Sequence, residues 1–217
     1  METLFTPFPK IARLNREIVV TEKIDGTNAS VIIVSDQLQQ IDQAFVWRDG
    51  LAMLAASRTR LITPGDDNHG FAAWVMENSD ELFRLGEGNH FGEWWGKGIQ
   101  RGYGVSKKYF SLFNTSIWSD PNVRPKCCEV VPVLYKGMFS QHMIDRCITE
   151  IELNGSIAVK KAEGYQRDPF MDPEGICIYH TAAGIYFKQT IWNDQSTKGM
   201  VARWSAACEA SLRKNVS

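Results

Sequence analysis

The stretch Glu22-Lys23-Ile24-Asp25-Gly26-Thr27 sets a primary amine, a carboxylate and a glycine close together. A lysine is a nucleophile only as the free amine, so a site that uses Lys23 must depress its pKa, with nearby cations or a bound metal. Lys23 and Asp25, at i and i+2, lie on one face if a strand runs through both. Asp25 would then orient the amine or contact a ligand's sugar. Gly26 permits a turn and a close backbone approach to a ligand. A charged hairpin would use the same residues, so the motif has to be read with the rest of the chain.

Other residues offer complementary chemistry. Phe91-Gly92-Glu93-Trp94-Trp95-Gly96 sets a carboxylate at a strand end, and Asp172-Pro173-Glu174-Gly175-Ile176 opens another strand with a carboxylate and a glycine. Tyr186-Phe187-Lys188-Gln189-Thr190 closes the next strand with a lysine. Lys97, Arg101, Lys107 and Lys108 are interleaved with Tyr103 and Tyr109. Such a loop can hold a nucleic-acid backbone and stack bases, or it can be a solvated basic loop. Taken singly, Glu93 and Glu174 read as strand-end carboxylates, and Trp94, Trp95, Phe110 and Phe113 read as core aromatics. Neither a dinucleotide-binding glycine fingerprint nor a Gly-x-x-x-x-Gly-Lys-Ser/Thr loop occurs.

The elements that must position these residues follow from periodicity. Ile18–Lys23 and Ala29–Ser35, rich in Val and Ile, read as strands with a turn signal at Asp25-Gly26-Thr27. Ala44–Arg48 and Leu51–Ser57 suit a hairpin through Asp49-Gly50. Phe71–Leu85 reads as a helix, His90–Trp95, Tyr109–Phe113 and Cys128–Leu134 as strands, and Gln141–Leu153 as an amphipathic helix with Gly155 near its C-cap. Gly175–His180 and Ile185–Gln189 form a hairpin through Ala183-Gly184. Val201, Trp204 and Cys208 share a stripe that predicts a closing helix. Strands and helices without regular alternation predict an α+β fold.

The 217 residues carry a net charge of −1 and 44% hydrophobic content, the composition of one sizeable globular domain. A single domain spanning 1–217, with no appended OB or other C-terminal domain, is expected. No apolar run of about 18 residues occurs, so no membrane span is expected. The N-terminus lacks a basic region followed by an apolar stretch, which predicts a cytoplasmic protein. Five cysteines, an odd number without a Cys-x-x-Cys pair, predict reduced thiols, and the four histidines lack metal-ligand spacing.

In chain order these motifs resemble those of the covalent nucleotidyltransferases, which include DNA ligases, RNA ligases and capping enzymes. Glu22–Asn28 resembles the nucleophile motif, Ser57-Arg58 the Ser-Arg element and Glu93 the Gly-Glu motif. Phe110–Phe113 resembles the aromatic strand that stacks on the base, Glu174-Gly175 the Glu-Gly motif and Lys188 the terminal lysine motif. Ala56–Arg60, Phe91–Gly104 and Phe187–Thr190 with Asn193-Asp194 are similar to blocks of compact ATP-dependent RNA ligases. The resemblance covers residues 20–199.

It implies a ligase adenylation fold, with antiparallel sheets flanked by helices and a nucleotide cleft between them. It implies ATP as AMP donor and Mg2+ (or Mn2+) as cofactor. Lys23 would bond covalently to AMP. Glu22 would read adenine through backbone or side chain. Asp25 and Glu93 would contact ribose or support a metal site, with Gly26 bringing the backbone close. Arg58 would hold sugar and phosphate or a strand end. Phe113 would stack on adenine, with Phe110 the second choice. Glu174 would help hold the metal, together with Asp25, and Lys188 would neutralise the α-phosphate. Arg58, Lys97 and Arg101 would contact nucleic acid. AMP transfer to a 5′-phosphate and attack by a 3′-hydroxyl would follow, on RNA or nicked duplex ends, by a monomer. The motifs also suit a GTP-dependent capping-type guanylyltransferase or a non-catalytic binding module of the same fold. Two departures stand out: Lys188 is alone where Lys-x-Lys is common, with Lys198 a substitute, and Asn114 stands where an Asp is common.

Overall fold

β1 (Glu17–Lys23) and β2 (Thr27–Ser35) form where Val and Ile favour extended backbone, but they do not pair with each other. The Asp25-Gly26 turn carries the chain from one sheet to another instead of closing a hairpin. The computed structural model describes residues 8–37 and 41–192. The closing helix expected over 201–208, Asn193-Asp194 and Lys198 lie outside the described residues.

The smaller sheet has four strands in the order β11-β10-β1-β9. Here β9 is Val133–Met138, β10 Gly175–His180 and β11 Ile185–Thr190. All its pairings are antiparallel, and β10 and β11 form the hairpin expected through Ala183-Gly184. Its buried face carries Ile18, Val20, Ile176 and Ile178 against Ile144, Cys147 and Ile151 of α4 (Gln141–Asn154). Ser140 caps α4, its hydroxyl accepting from the Met143 N–H, and Gly155 ends the helix at φ 75°.

The larger sheet runs β3-β4-β2-β6-β7-β8, with β5 beside β4. Its strands are β3 (Val46–Arg48), β4 (Leu51–Ser57), β5 (Leu61–Ile62), β6 (Gly88–Gly96), β7 (Lys108–Leu112) and β8 (Glu129–Val130). Only β7 with β8 is parallel. β3 and β4 join through Asp49 (φ 50°) and Gly50 (φ 77°), the left-handed pair of a primed hairpin turn. One face packs on α1 (Phe71–Glu77), where Phe71, Trp74, Trp94 and Phe110 cluster with ring centroids 4.9–5.8 Å apart. Each such aromatic pair adds about 0.5–1.5 kcal/mol beyond its burial.

Three expectations need correction. The helix over 71–85 is broken: α1 stops at Asn78, which sits off helical geometry (φ −106°, ψ 13°), before α2 (Ser79–Leu82) and a 3₁₀ turn at Phe83–Leu85. The strand over 128–134 splits into β8 and β9, which belong to different sheets. Pro132, with no N–H to give a ladder, lies at the break. Tyr103 and Tyr109 are buried rather than open to bases. The elements α3 (Thr115–Trp118) and α5 (Ile157–Glu163) were not legible in the periodicity. Cys127, Cys128, Cys147 and Cys177 are free thiols. Among the described residues no helix is long and apolar enough to cross a membrane.

Candidate active site

Strand alternation decides which side chains meet. On β1, Ile18, Val20 and Glu22 point to the core, so Thr21 and Lys23 point the other way. Cross-strand partners share a face, and Thr21 opposes Cys177, which opposes Lys188. Lys23 opposes Gly175. Lys23, Cys177 and Lys188 therefore line one face of the smaller sheet. In the larger sheet Asn28, Glu93 and Ser111 form one cross-strand row, on the face opposite the Trp94–Phe110 cluster. The chain crosses between the sheets at Asp25-Gly26, which brings the two faces together as a cleft.

Contacts around this cleft are short, within the smaller sheet and between the two sheets. Lys23 Nζ lies 2.5 Å from Glu174 Oε2, a pair with side chains 22% and 8% exposed. Gly26 donates its N–H to Glu93 Oε1 at 3.1 Å. A Cβ on Gly26 would lie 2.4 Å from the Trp94 carbonyl oxygen, so the turn can press against β6 only with glycine there. Gly175, at φ 154°, plays the same part beside Lys23, since a Cβ would lie 2.2 Å from the Gln189 carbonyl oxygen.

Electrostatics fit a site built for a charged guest. Burial pushes the Glu93 carboxyl up to about 7; Lys23 and the Gly26 N–H pull it down, and the neighbouring Glu174 and Asp25 push it up. The Cys177 thiol is raised, first by burial, with Lys23, Glu174, Glu93 and Lys188 all close enough to act on it. Asp25 is held from two sides. Its carboxylate receives Arg101 Nε at 3.0 Å, and its N–H donates to the Tyr103 hydroxyl at 2.7 Å. Burial raises the Tyr103 phenol, so it stays a neutral hydroxyl.

Glu22 corrects the side-chain half of its expected role. Its carboxylate is 1% exposed, on the core face, and caps α5. It accepts from Ser156 Oγ at 2.6 Å and from the Ala158 N–H at 2.8 Å. Burial raises its pKa against these donors. The two aromatic candidates separate in the same way. Phe110 is fully buried under the larger sheet, whereas Phe113 is half-buried, two residues past Ser111 and packed against the cluster that contains Ile24 and Trp95. Arg58 is exposed just past the end of β4, and Lys97 is exposed at the start of the loop after β6. Lys188 is exposed on β11, and Tyr186, where a second lysine is common, pairs with Tyr179 at a 4.5 Å ring separation.

Among the described residues no group of three or more His, Cys, Asp or Glu side chains forms a preformed metal cage. The donor chemistry still suits Mg2+, which keeps several waters and binds through one or two carboxylates plus substrate phosphates. Glu174, facing Lys23, is the carboxylate so placed; that of Asp25 is engaged by Arg101.

Two antiparallel-rich sheets joined at the turn after Lys23, with Glu174 paired to that lysine and Glu93 of the other sheet close enough for the lysine to act on it, constitute a nucleotidyltransferase fold. The model of the RNA ligase family matches residues 16–190, and the chain belongs to that family. No curated protein matches it. Among solved structures it is similar to a point mutant of Naegleria gruberi RNA ligase with ATP and Mn (TM-score 0.51, 16% identity, 80% of this chain and 48% of that one). Another mutant of that ligase with ATP and Mn gives a TM-score of 0.53 at 16% identity over 82% and 50%. The same ligase with PPi gives 0.51 at 17% over 81% and 50%. The chain thus spans about half the length of these structures.

Proposed function

We propose that the protein is an ATP-dependent RNA ligase that works through a lysyl-AMP intermediate. The carrying observation is the Lys23 amine at the end of β1, facing Glu174 across 2.5 Å with Glu93 beside it. The relatives' complexes with ATP, Mn and PPi support the same chemistry. After Lys23 loses its ammonium proton, the amine attacks the α-phosphorus of ATP. An N–P bond forms, the P–O bond to the leaving group breaks, pyrophosphate departs and the nitrogen's extra proton goes to solvent. Glu93 and Asp25 would receive the ribose, Phe113 would stack on adenine, and Glu22 would contribute only backbone to base reading. Lys188 would meet the α-phosphate, and Arg58 the sugar, phosphate or strand end. Glu174 would hold Mg2+, which would supply charge neutralisation when bound, while the Asp25 carboxylate stays with Arg101. Phosphoryl transfer depends on such positioning and neutralisation.

AMP would pass to a 5′-phosphate end and a 3′-hydroxyl would seal it, on RNA or nicked duplexes. We further propose one domain over 1–217, a monomer and a cytoplasmic location. Labelled ATP and labelled GTP, each with magnesium, test the reading. Label from ATP that is then chased onto a 5′-phosphorylated RNA end is expected. Label from GTP alone would identify a capping-type guanylyltransferase, and no label from either would identify a binding module.

A further inference from the structure

Arg101 was expected to touch nucleic acid, yet its guanidinium is committed inside the protein. We infer that Arg101 is a positioning residue that fixes Asp25 and Glu174 against Lys23. The inference rests on the adenylylation reading above. Arg101 Nε lies 3.0 Å from Asp25 Oδ2, while its Nη1 lies 2.5 Å from Asp172 Oδ2 and 3.1 Å from the Asp172 carbonyl oxygen. One planar group thus ties the segment just after Lys23 to the segment just before Glu174.

The Lys23–Glu174 pair closes this tie into a ring. It runs from Lys23 through Ile24 to Asp25, across Arg101 to Asp172, through Pro173 to Glu174, and back to Lys23. Each link is a short backbone stretch or a charged contact, and Pro173 restricts one of the stretches. If Lys23 leaves Glu174 to attack a phosphate, the Arg101 bracket still holds both carboxylate-bearing segments. Arginine suits the task because its fork meets two acceptors at once, where a lysine is a single point charge.

The loop that carries Arg101 is itself anchored. Ile99 and Tyr103 are fully buried. Gly96, Gly98, Gln100, Gly102, Tyr103 and Gly104 all take positive φ, the tight winding that needs so many glycines. Tyr103 from the same loop accepts the Asp25 N–H. Asp25 is therefore held, backbone and side chain, by one wound loop. The Arg101 side chain is only 25% exposed, and its Nε and Nη1 are both engaged by protein acceptors, a poor arrangement for bidentate contact with a polynucleotide phosphate.

Single-turnover lysyl-AMP formation at saturating ATP, without RNA, tests this on wild type, Arg101→Ala, Arg101→Lys and Asp172→Asn. Melting curves and RNA affinity across salt concentrations are measured alongside. Arg101→Ala is expected to slow labelling on the order of 10- to 100-fold, the scale of a small misplacement in a reacting site. Half-saturation by ATP and the salt slope of RNA binding should stay near wild type. Arg101→Lys should recover only a small part of the rate. Asp172→Asn should lose less, in the same direction, and add nothing to Arg101→Ala in the double variant. Full rate in Arg101→Ala with weakened RNA binding would overturn the inference and make Arg101 a polynucleotide contact. Full rate in Arg101→Lys would overturn the bridging role. If Arg101→Ala melts early, Asp172→Asn decides, and a wild-type rate there overturns it. A wild-type protein that takes no label refutes the adenylylation reading instead.

Discussion

Glu22 and Glu93 are carboxylates withdrawn from water on either side of the Lys23 turn, one in the core behind the smaller sheet and one in the cleft. Glu22 meets the Ser156 hydroxyl and the Ala158 N–H at a helix start. Glu93 meets the Gly26 N–H and stands near two more carboxylates, Glu174 and Asp25. The core region has answered its own charge with donors. The cleft answers its charges with side chains of opposite sign, Lys23 against Glu174 and Arg101 against Asp25, and a ligand's hydroxyls, phosphates or cation would join or replace those contacts. Groups on the core side should therefore govern stability and groups on the cleft side should govern chemistry, although adjacent residues of one strand supply both.

The largest expected break in that comparison is Lys23→Ala. It should take covalent labelling by ATP to background while the melting temperature stays close to wild type, because the side chain supports no core. A large drop in melting temperature would remove the distinction. Next come the paired aromatics. Phe110→Ala should destabilise the fold by about 3–5 kcal/mol through an unfilled cavity, read by urea melts. Phe113→Ala should spare stability and raise ATP half-saturation about tenfold, the scale of one lost base stack. Exchanged outcomes would reverse their assignment.

Glu22→Ala strands the Ser156 hydroxyl and the first N–H groups of α5. It should cost about 1–3 kcal/mol in denaturant unfolding, with adenylylation of the folded protein kept. An effect of similar size is pH-dependent. Glu93 holds its proton up to about pH 7 in the folded state, against 4.5 in the unfolded chain. Its contribution to stability is thus fully present below about pH 4.5 and is lost as pH rises through about 7. Glu93→Gln should abolish that slope, on the order of 1–3 kcal/mol, leaving a flatter melting profile between pH 4.5 and 7. Parallel profiles for the two proteins would contradict it.

Local chemistry was legible in the sequence where local forces decide it. The Asp49-Gly50 and Ala183-Gly184 hairpins, the Ser140-capped α4 and the strand character of β1, β2 and β6 follow from turn residues and period. What failed needed partners distant in sequence. Nothing in Asp25-Gly26 says that the next strand joins another sheet; that depends on Gly26 fitting against Trp94 and Trp95. Tyr103 reads as an exposed base stacker until its winding loop buries it. Arg101 reads as a basic surface residue until Asp25 and Asp172 are brought to it. Glu22 was half legible. Counting by twos from Ile18 and Val20 puts it on the apolar face, but only the fold supplies Ser156 as its partner.

The central claim is that Lys23, and no other lysine, carries the adenylate. Wild-type protein incubated with ATP and magnesium, digested and mapped by mass spectrometry, tests it most directly. The account predicts AMP on the peptide containing Lys23, at that residue. AMP on Lys188, Lys97 or any other lysine, or a folded protein that carries none, would contradict it.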